Sequence, residues 1–183
     1  ITASPETGYS FKQWNDGITS ASRSVTVSGD TTYTASFQAN TYTVSFKANG
    51  GSTASPASKS VIYASTYGAL ATTSRTGYNF SGWYTELSGG TQIETNTTVS
   101  ITSNQTLYAH WTVATVTVPN LIGQSYTTAG TTLQNLGLFV TYASAYNCSG
   151  VAQNIVFEQS VGSGTSVAIG STVILTYSSR RKP

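Results

Sequence analysis

Apolar and polar residues alternate one by one over most of this chain. Tyr42, Val44 and Phe46 alternate with Thr43, Ser45 and Lys47, and the same period runs through Ser24-Val25-Thr26-Val27 and Tyr33-Thr34-Ala35-Ser36-Phe37. A two-residue period puts one set of side chains on each face of a strand. Turn residues punctuate the runs at Ser4-Pro5, Asn15-Asp16-Gly17, Ser28-Gly29-Asp30, Asn49-Gly50-Gly51 and Gly89-Gly90-Thr91, where Gly and Asn accept positive φ. Residues 1–39 are thus expected to form a meander of short strands with one aromatic face. Further strands are expected at Val61-Ile62-Tyr63, Gly77-Tyr78-Asn79-Phe80, Val99-Ser100-Ile101 and Leu107-Tyr108-Ala109-His110-Trp111.

One stretch changes the period. Ala129, Leu133 and Leu136 fall at i, i+4 and i+7, the spacing of one helix face, with Ser125 placed to cap the start and Gly137 to end it. The body of this helix carries four Thr and Gly130, and a helical Gly costs about 1 kcal/mol relative to Ala. Such a helix must be held by packing against a sheet. Leu138-Phe139-Val140-Thr141-Tyr142, Val156-Phe157-Glu158-Gln159 and Thr172-Val173-Ile174-Leu175-Thr176-Tyr177 supply three strands for it.

Composition narrows the class. Only 8% of residues are charged, against roughly a quarter in ordinary soluble proteins, so surface polarity falls to Thr, Ser, Asn and Gln. The chain has 12 Tyr, 3 Trp and no Met, a balance that suits pleated surfaces and an extracellular all-β protein. A net charge of +2 with scattered basic residues lacks the basic stripe that nucleic acid needs. The cluster Arg180-Arg181-Lys182 reads as a solvated tail or the start of a linker. Cys148 is the only cysteine; it can form no internal disulfide and no thiol pair for a metal, and is expected to be a small buried or half-buried residue. No run reaches the eighteen or so apolar residues of a membrane span. Ile1-Thr2-Ala3 looks like the second half of a strand, so the chain is expected to be part of a longer, processed protein.

Two copies of one cadence stand out: Thr7-Gly8-Tyr9-Ser10-Phe11-Lys12-Gln13-Trp14 and Thr76-Gly77-Tyr78-Asn79-Phe80-Ser81-Gly82-Trp83. Around the second copy the motifs Val44-x-Phe46-x-Ala48-Asn49-Gly50-Gly51, Tyr67-Gly68, Arg75-Thr76-Gly77-Tyr78-x-Phe80-x-Gly82-Trp83-Tyr84 and Leu107-Tyr108-Ala109-x-Trp111 resemble a Listeria–Bacteroides repeat, the B-repeat of internalins. Lys47 stands where that family often has Asp. Around the first copy, Ala3, Pro5, Gly8, Tyr9, Phe11, Trp14, Ala35 and Phe37 resemble a partial, divergent form of the same repeat. Val118-Pro119-Asn120, the helix, Leu136-Gly137-Leu138, Gln159, Gly164-Thr165-x-Val167 and Gly170-x-x-Val173-x-Leu175 resemble a PASTA domain. Val161 replaces the family's usual Pro two residues after the Gln, and Ala145-Tyr146-Asn147-Cys148-Ser149-Gly150 is insertion-like.

The resemblances imply a mostly β chain of tandem small modules. These are a partial β-grasp-like repeat over 1–39, a full one over 40–112, a PASTA domain over 113–178 with one helix on a three-stranded sheet, and a tail over 179–183. The fold signature is Gly8, Tyr9, Phe11, Trp14, Gly77, Tyr78, Phe80, Trp83 and Trp111. Small modules lean on each large side chain, so Tyr9, Phe11, Tyr78 and Phe80 are assigned to cores, with Trp14 and Trp83 less firmly placed. Tyr63, Tyr142 and Tyr146 are the candidate contact residues.

The inventory for catalysis is thin. His110 is the single histidine, facing away from Trp111, and the carboxylates Glu6, Asp16, Asp30, Glu86, Glu94 and Glu158 are dispersed. No Gly-x-Ser-x-Gly elbow occurs. Lys12, Lys47 and Lys59 are the lysines available for an isopeptide with an Asn, a bond these families do not imply. No enzyme activity and no cofactor are expected. The expected role is a structural or adhesive segment of a secreted bacterial cell-surface protein, a semi-rigid stalk or self-assembling fibre. Its expected partners are other copies, neighbouring modules, peptidoglycan or a host-surface ligand. The alternative is cell-wall binding through the PASTA domain.

Overall fold

In a computed structural model, residues 1–145 and 150–179 are described. The structure is mostly β, with twelve strands and one helix among those residues. It divides into two compact units, Ile1–Arg75 with Phe80–Trp111, and Thr76–Asn79 with the chain from Thr112 onward.

The first unit begins with a two-stranded antiparallel sheet of β1 (Tyr9–Trp14) and β2 (Ala35–Ala39). One residue, Asn40, separates β2 from β3 (Thr41–Lys47). With β4 (Ser58–Ile62), β5 (Tyr78–Tyr84), β6 (Gln92–Ile93) and β7 (Gln105–Val113), β3 makes a five-stranded sheet in the order β4-β3-β7-β5-β6. Numbered within the repeat this is 2-1-5-3-4, with its first and last strands parallel neighbours, the strand order of a β-grasp sheet. The loop over 63–77 occupies the stretch between the second and third strands. The core under this sheet is made by Val44, Phe46, Val61, Trp83, Ile93, Leu107 and Ala109 from the strands and Tyr67 and Val99 from the loops.

The meander expected in residues 1–39 forms only in part. Ser24-Val25-Thr26-Val27 does not become a strand, Val27 is 78% exposed, and β2 starts at Ala35, not Tyr33. The second repeat explains the late start of β2. The residues equivalent to 31–34 are 105–108, and those are held in β7 by parallel pairing with β3, from Val44↔Gln105 to Lys47↔Tyr108. Residues 1–39 contain no such strand, and unpaired alternation is not enough to hold backbone extended. Val99-Ser100-Ile101 is likewise no strand: Val99 fills the core and its amide donates to Ser65 O at 2.7 Å.

The second unit holds β8 (Thr115–Thr117), α1 (Tyr126–Asn135), β9 (Phe139–Ala145), β10 (Val156–Gln159), β11 (Ser166–Ala168) and β12 (Thr172–Ser178). Strands β10-β12-β9 form the expected three-stranded sheet, with β12 parallel to β9, and β8 pairs with β11 apart from it. Helix α1 packs on this sheet through Ala129 and Leu133, closing a core with Val118, Leu121, Leu138, Val156, Val173 and Leu175. The Ser125 hydroxyl accepts from Thr128 N at 3.2 Å, as an N-cap should. At the other end Gly137, with φ 75°, allows its amide to reach Gln134 O and the Leu138 amide to reach Leu133 O, a Schellman ending.

Gly130 has a packing reason. The Tyr142 hydroxyl lies where a Cβ on Gly130 would stand. A Gly130→Ala substitution raises intrinsic helix propensity by about 1 kcal/mol, yet it is expected to lower the melting temperature, because the ring must be displaced; thermal unfolding followed by circular dichroism reads the sign.

Candidate functional site

The repeated aromatic cadence folds into a small ring cluster in each repeat. In the second, the buried Trp83 packs 4.8 Å from Phe46 and 5.6 Å from Phe80, and Phe80 lies 5.3 Å from Trp111. The Trp83 indole donates to Ala71 O at 2.8 Å and the Trp111 indole to Ala48 O at 2.9 Å. In the first repeat, Phe11 lies 5.5 Å from Trp14 and 6.0 Å from Phe37, and the Trp14 indole donates to Ser20 O at 2.9 Å.

The division between core and rim differs from the expected one. Trp14 and Trp83 are the buried anchors, at 5% and 2% exposure, while Phe80 is 42% exposed and Tyr9, Phe11 and Tyr78 are half-buried. The cause is a break in the alternation. The register of β1 slips between Phe11 and Gln13, and in β5 Gly82 takes φ 131°. Each break brings the tryptophan, three residues on, round to the face that an unbroken strand would turn away. Trp111 is half-buried.

Of the candidate contact residues, Tyr63 is half-buried and not exposed. Its ring meets Tyr9 edge-on at 5.6 Å and covers Gly8, where a Cβ would fall inside the ring's contact surface. Around this contact Asn40 N donates to Gly8 O at 2.8 Å, Tyr63 N donates to Asn40 O at 2.9 Å, and Ser10 bonds the Asn40 side chain. Tyr63 thus helps lock β2 to the start of β3. The same main-chain bond recurs later, where Ala114 N donates to Gly77 O at 2.9 Å. Pattern reading missed this joint; the signal was the Thr-Gly-Tyr glycine, whose φ is 82° at Gly8 and 78° at Gly77. Tyr142 is 43% exposed and meets Tyr126 at 5.4 Å, while Tyr126 stacks on Tyr177 at 4.3 Å. Tyr146 and Cys148 lie outside the described residues.

Among the described residues the titratable groups are dispersed, apart from one ion pair. His110 stacks on Tyr84 at 4.0 Å, nearly coplanar, with Nε2 at 3.0 Å from Glu86 O. Lys59 donates to the carbonyls of Tyr67 and Ala69, while Lys12 and Lys47 are exposed. Burial pushes the Tyr67 phenol above its ordinary value, and its hydroxyl donates to Gln105 Oε1 at 2.6 Å. Asp16 pairs with Arg23 at 2.7 Å, and the Arg23 hydrogen bond holds its carboxyl below the usual aspartate range. No group of three or more His, Cys, Asp or Glu converges on a metal position among the described residues. No helix there is long and apolar enough to cross a membrane.

Three family models match the chain in sequence. Residues 1–41 match the divergent InlB B-repeat domain, 42–110 the Listeria-Bacteroides repeat domain and 116–179 the PASTA domain. The chain is two B-repeat modules followed by a PASTA domain. No curated protein matches it. A solved structure of the extra-cellular region of the Ser/Thr kinase PrkC from Staphylococcus aureus is 28% identical over 43% of this chain, with a TM-score of 0.39, and the match spans 28% of that structure. Both module types are non-catalytic and typical of extracellular or surface proteins.

Within the PASTA domain one polar side chain holds the entry segment. Gln159 Oε1 accepts from Leu121 N at 2.8 Å, and its Nε2 donates to Pro119 O at 3.1 Å and to Val161 O at 2.7 Å. The carboxamide therefore clips the Val-Pro-Asn segment to β10, and the Val161 position contributes through its carbonyl, which any residue there supplies. Gln159→Ala is expected to destabilise this domain by about 1–3 kcal/mol, the cost of stranding buried main-chain groups, read as a lower denaturation midpoint. For the B-repeat joint, Gly8→Ala is expected to cost about 1–3 kcal/mol through strained φ and displacement of Tyr63; Gly17→Ala, with positive φ but open space around it, separates the two effects. A depressed carboxyl stabilises above its unfolded value and loses that contribution as pH falls through the folded one. In acid titration, wild type is therefore expected to be the more stable of the two above the ordinary aspartate range, and wild type and Asp16→Asn are expected to converge as pH falls below it.

Proposed function

We propose that this chain is a non-enzymatic structural and adhesive segment of a secreted bacterial cell-surface protein, working as a semi-rigid stalk or as part of a surface fibre. The observation that best supports this reading is where the polar chemistry goes. All three indole N–H groups, the Lys59 amine and the His110 ring are spent on main-chain carbonyls within the modules. Groups used this way stiffen a fold and are not free to converge on a substrate. The single residue between β2 and β3, with both its main-chain groups bonded, favours stiffness at that joint. Low charge and exposed Ser and Thr suit an extracellular surface. Copies of the chain and host-surface ligands are the partners this role calls for.

Cell-wall binding through the PASTA domain is the second reading. PASTA domains bind peptidoglycan-type ligands, and Tyr142, Phe139 and Ile174 are exposed on this one, at 43%, 67% and 43%. Sedimentation of the full chain with purified peptidoglycan distinguishes the two. Under the structural reading the chain stays in the supernatant at low salt, and its light-scattering mass rises with concentration. Retention on the wall that is lost in a Tyr142→Ala, Phe139→Ser double variant favours the second. A concentration-independent monomer that turns over a substrate overturns both.

A further inference from the structure

Strand β9 is a sheet edge. In the order β10-β12-β9 it has β12 on one side and no strand on the other among the described residues. The ends of its ladder with β12 are Phe139 N donating to Ser171 O at 2.9 Å and Ser179 N donating to Ala145 O at 3.0 Å. A parallel ladder spends every second residue of a strand on one neighbour, so Phe139, Thr141, Ala143 and Ala145 face β12. Val140, Tyr142 and Ser144 therefore turn their main-chain N–H and C=O groups away from the sheet, and no described residue bonds them.

Other edges show what β9 lacks. The far edge of the same sheet is covered: Gly123 N donates to Val156 O at 2.9 Å, Val156 N donates to Gln124 O at 2.9 Å, and Ser125 bridges to Ile155. In the B-repeat sheet, β4 carries Lys59 and β6 is two residues long. Covering segments, charges and short strands keep sheet edges from pairing with other chains. The seven residues of β9, Phe-Val-Thr-Tyr-Ala-Ser-Ala, include no charge, no proline and no glycine. Phe139 is 67% exposed, and the Tyr142 ring lies back over Gly130 of α1, off the plane of the sheet.

We propose that β9 pairs antiparallel with β9 of a second copy of this chain, with Tyr142 on the two-fold axis. The outward residues Val140, Tyr142 and Ser144 are spaced evenly about Tyr142. That register sets Val140 opposite Ser144 and Tyr142 opposite itself. Each is then a hydrogen-bonded pair that exchanges both main-chain bonds, and every outward N–H and C=O from Val140 to Ser144 finds a partner. On the outer face Thr141 meets Ala143, and the exposed Phe139 ring meets the small Ala145. The strand is thus its own complement, and no charge opposes a like charge across the pair, which is why a second copy is the occupant. Because the β10 edge is covered, pairing ends at two copies in an isologous contact. The proposal rests on the reading that copies of the chain are partners. It narrows that reading, since this edge makes a dimer and a fibre needs another surface.

Analytical ultracentrifugation of the full chain reads the association, and a monomer–dimer equilibrium is expected. Ser144→Pro removes an outward N–H that the monomer does not use. It is expected to keep the wild-type melting temperature at dilution and to raise the dimer dissociation constant at least about tenfold, roughly 1.4 kcal/mol. Cross-linking in a Cys148→Ser background reads the register. Tyr142→Cys is expected to give a disulfide-linked dimer on mild oxidation, because opposed residues of a hydrogen-bonded pair stand about 5.5 Å apart. Thr141→Cys, opposite Ala143, is expected to give none. A dimer indifferent to Ser144→Pro, or a Thr141→Cys chain that links as readily as Tyr142→Cys, overturns the proposal and leaves the structural reading in place. A chain that stays monomeric at millimolar concentration overturns both this edge and the choice of copies as partners.

Discussion

The indole of Trp83 is the fixed point of the central module. It is almost wholly buried, its ring is gripped by Phe46 from the first strand and Phe80 from the third, and its N–H is tied to Ala71 in the intervening loop. A single side chain thereby connects the sheet to the loop that stands where a β-grasp fold carries its helix. A buried indole without an acceptor would be costly, so the loop path is set by where Ala71 must present its carbonyl. Trp14 repeats the device in the first module with a different acceptor, Ser20, which suits a half-size sheet whose loop runs another way.

Much of this was legible in the residues. Alternation and turn punctuation located β3, β4, β7 and the three strands of the sheet under the helix, while β11 was not foreseen, and the Ser125 cap with Gly137 bounded the helix. These are local signals, written in φ preferences and side-chain periodicity. The core-against-rim assignment was not legible, because it turns on backbone irregularities between Phe11 and Gln13 and at Gly82 that shift which face the following tryptophan will see. The failed strand at 24–27 has a different cause. Its alternation is genuine, but the equivalent residues 98–101 of the second repeat also form no strand, and there Val99 fills the core from a loop.

The joint at Asn40 lies between these cases. Gly8 was picked out as part of a motif, and positive φ was a fair inference for it. That its carbonyl would receive the amide of the residue between two modules, and that Tyr63 would lie over it, depends on contacts 32 and 55 positions away in sequence. No periodicity encodes such a meeting.

The parallel pairing of β3 with β7 has a mechanical consequence. The chain enters the central repeat at the start of β3 and leaves at the end of β7, and these two strands lie side by side in register from Val44↔Gln105 to Lys47↔Tyr108. Tension applied to the two ends pulls the strands past each other along their length. The evenly spaced bonds of a parallel ladder then share the load at once and do not open in turn like a zipper. A module wired in this way resists stretching far better than its thermal stability alone would suggest, whatever is attached at either end.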